Sequence, residues 1–225
     1  MTQYAQVKIC GLTNFEDAVV AADAGADFLG FILYPPSKRG ITAADVTQIV
    51  KELRKRPNCP TLIGVFVNET PEYVFETITQ CGLDLAQLHG EEVPSQINDP
   101  NAILHGRAYK ALRPQSLMEA EADAEWYIAE SPGMWPTILI DAYHPELYGG
   151  TGELSDWEIG KAITKMTDGQ MLAGGLTPDN VVQALIEVRP YGVDVASGVE
   201  SSPGLKDHNL VRSFIANAKS VKFKS

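Results

Sequence analysis

The 225-residue sequence predicts an α/β fold, a (β/α)8 TIM barrel forming a single domain over residues 1–225. Three observations predict it. Short apolar runs rich in β-branched residues recur along the chain, each the length of a buried strand. Segments of helical periodicity lie between most of them. Eight such pairs in 225 residues leave roughly 28 residues per unit, which suits compact strand–helix repeats closing on themselves.

The predicted strands, in order, are Tyr4–Ile9, Asp27–Leu33, Thr61–Val67, Asp84–Leu88, Ala108–Leu112, Thr137–Ile140, Gln170–Ala173 and Val193–Ala196. The first helix, Asn14–Ala24, carries Phe15, Ala18, Val19 and Ala22 on one stripe, with Gly25 as a stop. The second, Ala43–Lys55, carries Val46, Ile49, Val50 and Leu53. Pro71–Gln80, Ser116–Ala129, Ser155–Met166, Pro178–Val188 and His208–Ala218 read likewise, and Pro94–Asn101 carries the faintest pattern. Several open on a capping residue or on proline in the first turn. A dinucleotide-binding sheet is disfavoured, because CGLTNF follows the first strand where that fold needs GxGxxG. No linker or low-complexity tract divides the chain.

Composition narrows the function. Apolar residues make up 44% and charged residues 21%, the balance of a soluble globular protein. Eighteen basic against 29 acidic side chains leave a net charge of −11, which disfavours nucleic acid as a partner but allows a locally positive pocket for a small anion. Cys10, Cys59 and Cys81 are too few and too scattered for a disulfide framework or zinc knuckle. The opening MTQYAQVKICG has no signal-type apolar region, and no run approaches the ~20 residues that cross a bilayer. The expectation is a cytoplasmic protein with no membrane partner. His105, His144 and His208 form no metal-ligand spacing, so no metal is expected.

In such a barrel the chemistry lies at the C-terminal ends of the strands. Gly174-Gly175 after strand seven, followed by Thr177-Pro178-Asp179-Asn180, reads as a phosphate cradle. Ser197-Gly198 after strand eight reads the same way. Glycines here could simply make tight turns; two such sites in consecutive units favour the phosphate reading. Cys10 ends strand one as either a small buried hydrophobe or a base. Asp141 ends strand six as either a loop cap or a catalytic acid. With phosphate held at strands seven and eight, the sugar of a ligand would lie between Asp141 and Cys10. Arg39 is a carboxylate or phosphate fork or a solvated loop arginine, and His89 a structural or an acid–base histidine. Lys8 shares strand parity with Cys10, which predicts a buried Lys8–Asp194 pair beneath the site. The polar, glycine-rich stretch 144–153 reads as a loop able to close over a ligand.

Lys8-Ile9-Cys10-Gly11, Gly64-Val65-Phe66-Val67-Asn68, Gln87-Leu88-His89-Gly90, Gly149-Gly150-Thr151-Gly152, Leu172-Ala173-Gly174-Gly175-Leu176 and Ser197-Gly198-Val199-Glu200, with Gly204-Leu205-Lys206-Asp207 behind, resemble the phosphoribosylanthranilate isomerase family. The motifs run in order from residue 7 to about 207. The resemblance implies a barrel enzyme of tryptophan biosynthesis that needs neither metal nor cofactor and works on a sugar phosphate, as a monomer or a homodimer. It implies an Amadori rearrangement with Asp141 as general acid and Cys10 as general base. It further implies that Arg39 binds the anthranilate carboxylate, that Gly174, Gly175, Ser197 and Gly198 bind phosphate with Asn180 nearby, and that His89 lines the site. Lys38, Ser155 and Ala196 depart from the family pattern. A related isomerase of histidine biosynthesis carries aspartate where Cys10 stands, and a barrel that only binds sugar phosphate would be expected to lack Cys10 or Asp141.

Overall fold

A computed structural model of the chain describes residues 2–129, 136–141 and 155–224. Eight parallel strands form a closed barrel: β1 (Gln6–Cys10), β2 (Phe28–Ile32), β3 (Thr61–Phe66), β4 (Leu85–Leu88), β5 (Ala108–Leu112), β6 (Ile138–Asp141), β7 (Gln170–Ala173) and β8 (Gly192–Val195). Each strand pairs with the next, and β8 returns to β1. The barrel predicted from the sequence is the fold observed.

The helices that wrap it are α1 (Phe15–Asp23), α2 (Ala43–Leu53), α3 (Pro71–Cys81), α4 (Ser95–Asn98), α5 (Leu117–Tyr127), α6 (Ser155–Ile163), α7 (Val181–Val188) and α8 (His208–Ser220). Local chemistry sets their ends. The side chains of Asn14, Thr42, Thr70, Ser116 and Asp207 each accept a hydrogen bond from a first-turn backbone N–H. Pro71 occupies the first turn of α3, and Gly82 ends it in the left-handed conformation. The faint helical pattern at 94–101 shrinks to one turn, Ser95–Asn98, which has no side-chain cap. The helix expected from Pro178 begins only at Val181, because Asn180 turns its side chain back onto the preceding loop.

The first predicted strand is two elements. Thr2–Tyr4 pairs antiparallel with Lys222–Lys224, and the barrel strand starts at Gln6. The sequence marks no break between them, since only Ala5, and neither glycine nor proline, stands between the two strands. The stretch 144–153, expected to close over a ligand, lies outside the described residues. Among the described residues no helix is long and apolar enough to cross a membrane.

Strand register decides which side chains point inward. Following Cα partners around the barrel, Cys10 pairs with Gly30, Val65 with Gln87, Gln87 with Tyr109, Ala111 with Leu139, Asp141 with Ala173, and Lys8 with Asp194. Partners share a face of the sheet, so one inward ring holds Lys8, Cys10, Gln87, His89, Tyr109, Asp141 and Asp194. The outward set, including Val7, Ile9, Leu29, Leu62, Leu172 and Val193, is buried under the helices. This outward set packs between barrel and helices, while inside the barrel Phe28, Ile63, Leu139 and Met171 share the space with the polar ring.

Candidate active site

A cavity of about 440 Å³ opens at the C-terminal ends of the strands. Cys10 and Asp141 both line it, together with His89, Gln87 and Asp194. Ile32, Val65, Leu139 and Leu176 supply its apolar wall. Gly174, Gly175, Ser197 and Gly198 form the rim on the β7–β8 side. Seven of the nine residues singled out from the sequence thus share one cavity; Arg39 and Asn180 do not line it.

The two glycine loops meet. Gly174 and Gly175 take φ of 98° and 61°, a region closed to most side chains, and this turns the loop after β7. Gly198 passes so near that loop that a Cβ on it would stand 1.9 Å from the Leu176 carbonyl oxygen. Residues 197–199 form a short 3₁₀ turn. The result is a concave rim of backbone and small side chains, a shape that suits an anion. Asn180 shapes this rim from behind: its side-chain oxygen accepts from the Thr177 N–H at 2.8 Å, and its amide donates to the Gly175 carbonyl at 3.0 Å.

Below the cavity sits a buried polar cluster. The Lys8 ammonium is fully buried and donates to Gln87 Oε1 at 2.6 Å, Asp194 Oδ2 at 2.8 Å and Cys10 Sγ at 3.4 Å. The Lys8–Asp194 pair expected from strand parity is present. Burial disfavours the Lys8 charge, but Asp194 and Cys10 outweigh it and hold the ammonium protonated. Burial pushes the Cys10 thiol up, and Lys8 opposes that rise. The Tyr109 hydroxyl donates to the same Gln87 oxygen at 2.9 Å.

This cluster also sets the state of His89. Gln87 Oε1 accepts from Lys8 and Tyr109, so the other end of the amide is the donor. That NH₂ lies 3.1 Å from His89 Nδ1, which must accept. The ring proton of neutral His89 then sits on Nε2, 3.8 Å from Asp141 Oδ2. Burial, with Arg113, Lys8 and Lys110 adding to it, pulls the histidine down to about 4, so the ring is neutral at ordinary pH.

Arg39 is tied elsewhere. Its Nε and Nη2 form a two-pronged pair with Glu200, both at 2.8 Å. Its stem crosses Gly11, directly after Cys10: a Cβ there would stand 2.8 Å from Arg39 Cδ. Glu200 also receives buried Lys206 at 3.1 Å, and Lys206 donates to the Ala196 carbonyl at 2.9 Å. The arginine beside Cys10 and the loop after β8 are therefore joined through one carboxylate. Burial works against the Glu200 charge, yet Arg39 and Lys206 hold its carboxyl below the usual range.

The sequence reading assigned no role to Gln87, Glu200, Lys206 or Tyr109. Gln87 had a usable signal, since it stands two residues before His89 on the same strand face. Glu200 and Lys206 stood inside recognised motifs, but nothing local says that they meet Arg39. A further pair, Lys110 with Glu92 at 2.9 Å, pins the loop after β4, where Glu92 also accepts from the Asn68 and Gly90 N–H groups. Among the described residues no group of three or more His, Cys, Asp or Glu gathers as a metal site would require.

This chemistry can be set beside known proteins. The family model described as N-(5'phosphoribosyl)anthranilate (PRA) isomerase matches residues 7–217. An N-(5'-phosphoribosyl)anthranilate isomerase of Trichlorobacter lovleyi is 44% identical over 214 residues, covering 95% of this chain and 98% of the relative. The crystal structure of phosphoribosyl anthranilate isomerase from Thermotoga maritima superposes with a TM-score of 0.79 at 38% identity, covering 96% of this chain and all of that one. A phosphoribosyl anthranilate isomerase solved in complex with reduced 1-(o-carboxyphenylamino)-1-deoxyribulose 5-phosphate gives 0.77 at 35%, with the same coverage.

Proposed function

The chain belongs to the N-(5'-phosphoribosyl)anthranilate isomerase family of tryptophan biosynthesis, and on that premise we propose that Cys10 and Asp141 are the base and acid of its reaction. One observation carries the assignment: a thiol and a carboxyl 131 positions apart in the chain line one cavity bounded by the two glycine loops.

The substrate is an aminoaldose phosphate and the product its aminoketose isomer. The phosphate sits against the backbone of Gly174, Gly175, Ser197 and Gly198, whose concave rim suits an anion. Asp141 then protonates the ring oxygen, the ring C–O bond breaks, and the anthranilate nitrogen supplies the electron pair that makes a cationic Schiff base. That cation acidifies the C2' proton, which Cys10 removes. The C–H electrons form the enolamine, which loses its hydroxyl proton and gains one at C1' to become the ketone. Protons balance and no electrons enter or leave, so the chain of steps asks for acid–base groups alone. Arg39 offers its second edge, Nη1 and Nη2, to the anthranilate carboxylate while Glu200 holds the first. His89, neutral, directs its Nε2 proton toward Asp141 and helps to hold that carboxyl in place.

The test is the fluorescence change that accompanies conversion of phosphoribosyl anthranilate. Cys10→Ala and Asp141→Asn are each expected to lower kcat by at least ~10³-fold with the fold intact. Ordinary turnover by either variant removes that residue from its role. No turnover by the pure wild-type protein would favour a barrel that only binds.

A further inference from the structure

We infer that Lys8 is a positioning residue for the proton-abstracting group: its ammonium serves as the counter-ion of the Cys10 thiolate, and Asp194 sets how much of that positive charge the sulfur feels. The inference rests on the reading of Cys10 as base and deepens it.

A fully buried lysine in the middle of a barrel is costly unless its charge has a use. Burying an ion costs several kcal/mol even after relaxation, and an ion pair of this kind often stabilises no better than apolar residues of the same volume. Stability alone therefore gives Lys8 little reason to be charged. Its geometry gives one. An ammonium has three N–H donors and no acceptor. Lys8 has three partners: the Asp194 carboxylate, the Gln87 amide oxygen and the Cys10 sulfur. Two of these are fixed acceptors on β8 and β4. The third is a weak acceptor as a thiol and a strong one as a thiolate. So one N–H of Lys8 is directed at the atom that must become negative.

The surroundings of Cys10 leave Lys8 as the cation in direct contact. From β1 comes Lys8 itself; from β8, Asp194; from β4, neutral Gln87 and His89; from β5, the un-ionised Tyr109 phenol. From the loops come Lys206 and Arg39, both paired with Glu200. Asp194 opposes Lys8 from the adjacent strand and keeps the resting thiol from ionising outright. Its Oδ1 is buried without a partner among the described residues, so its charge is only partly spent. The sulfur is thus poised: held neutral by burial and by Asp194, and stabilised by Lys8 once it ionises.

The experiment is the pH dependence of iodoacetamide alkylation at Cys10 in the resting enzyme, read peptide by peptide so that Cys59 and Cys81 do not interfere. Three proteins are compared: wild type, Lys8→Met and Asp194→Asn, each checked by circular dichroism and thermal unfolding. Lys8→Met should move the alkylation midpoint up by about one pH unit or more and shift the rising limb of kcat upward with it. Asp194→Asn should move the midpoint down, because a negative charge beside the sulfur has gone. Lys8→Arg, which keeps the charge, should recover part of the shift. A purely structural role predicts no such opposition in sign. A folded Lys8→Met with an unmoved midpoint overturns the inference. If Lys8→Met does not fold, Asp194→Asn decides, and a midpoint that rises or stays put overturns it. Retained turnover by Cys10→Ala would instead remove Cys10 as base, and the alkylation curves would still report on Lys8.

Discussion

Gly30 stands on β2 directly beside Cys10, and replacing it with alanine would press on the thiol. A Cβ at this position would lie 2.7 Å from Cys10 Sγ, 3.1 Å from Lys8 Cε and 3.2 Å from Cys10 Cα. Comfortable carbon contacts lie at about 3.5–4.0 Å, so something must move by about 1 Å. The Cys10 backbone is fixed by its pairing with Gly30 and by the preceding Ile9, which is paired on both sides. Lys8 is fixed by Asp194 and Gln87 at its tip. Only the sulfur can swing, and it can do so only by leaving Lys8. Overpacking of this size costs about 1–3 kcal/mol, and a displacement of about 1 Å at a reacting atom costs up to ~10²-fold in rate. Gly30→Ala should therefore fold, lose about 1–3 kcal/mol in urea titration, and lose roughly 10- to 100-fold in kcat with KM little changed. A stable variant with wild-type kcat would falsify the claim that the thiol must sit where β1 and Lys8 hold it.

Arg39→Ala should raise KM with kcat little changed in steady-state kinetics, and an unaltered KM removes Arg39 from the carboxylate site. Glu200→Gln should also raise KM, because it frees Arg39, and it should cost about 3 kcal/mol in denaturant titration by stranding buried Lys206; equal KM in mutant and wild type would show that Glu200 does not position the arginine. Inorganic phosphate should inhibit competitively, and Gly198→Ala, which drives a methyl into the Leu176 carbonyl, should abolish that inhibition in the same assay. His89 is depressed from 6.5 to about 4. The unfolded chain therefore takes up the extra proton first, so this contribution is complete above pH 6.5 and is lost as pH falls through about 4. It amounts to about 3 kcal/mol, and urea midpoints of His89→Gln should fall less than wild type between pH 7 and 4.

Much of this protein was legible in its sequence, for a physical reason. Strand and helix patterns, caps, proline at a first turn and glycine at the β7 and β8 loops are local properties, set by a residue and its near neighbours. Parity along β1 even predicts the Lys8–Asp194 contact, because register around a closed barrel leaves few partners for an inward lysine. The placement of Cys10, Asp141 and the glycine loops at one mouth follows from the same regularity. Local patterns blur where elements are short: α4 shrinks to one turn, and the terminal strand Thr2–Tyr4 runs into β1 with no turn residue between them.

Only the tertiary structure decided which acceptor each donor chose. Arg39 reads from sequence as a fork without a partner, and the fold gives it Glu200, 161 positions away. Asn180 reads as a neighbour of the phosphate, and the fold turns it back to brace the loop. Gln87 carries no role until Lys8 and Tyr109 claim its oxygen and thereby orient its amide toward His89. Each choice is a competition among several groups brought together through space. Its outcome depends on distances of a few tenths of an ångström and on which charges are buried, and neither quantity exists before the barrel closes.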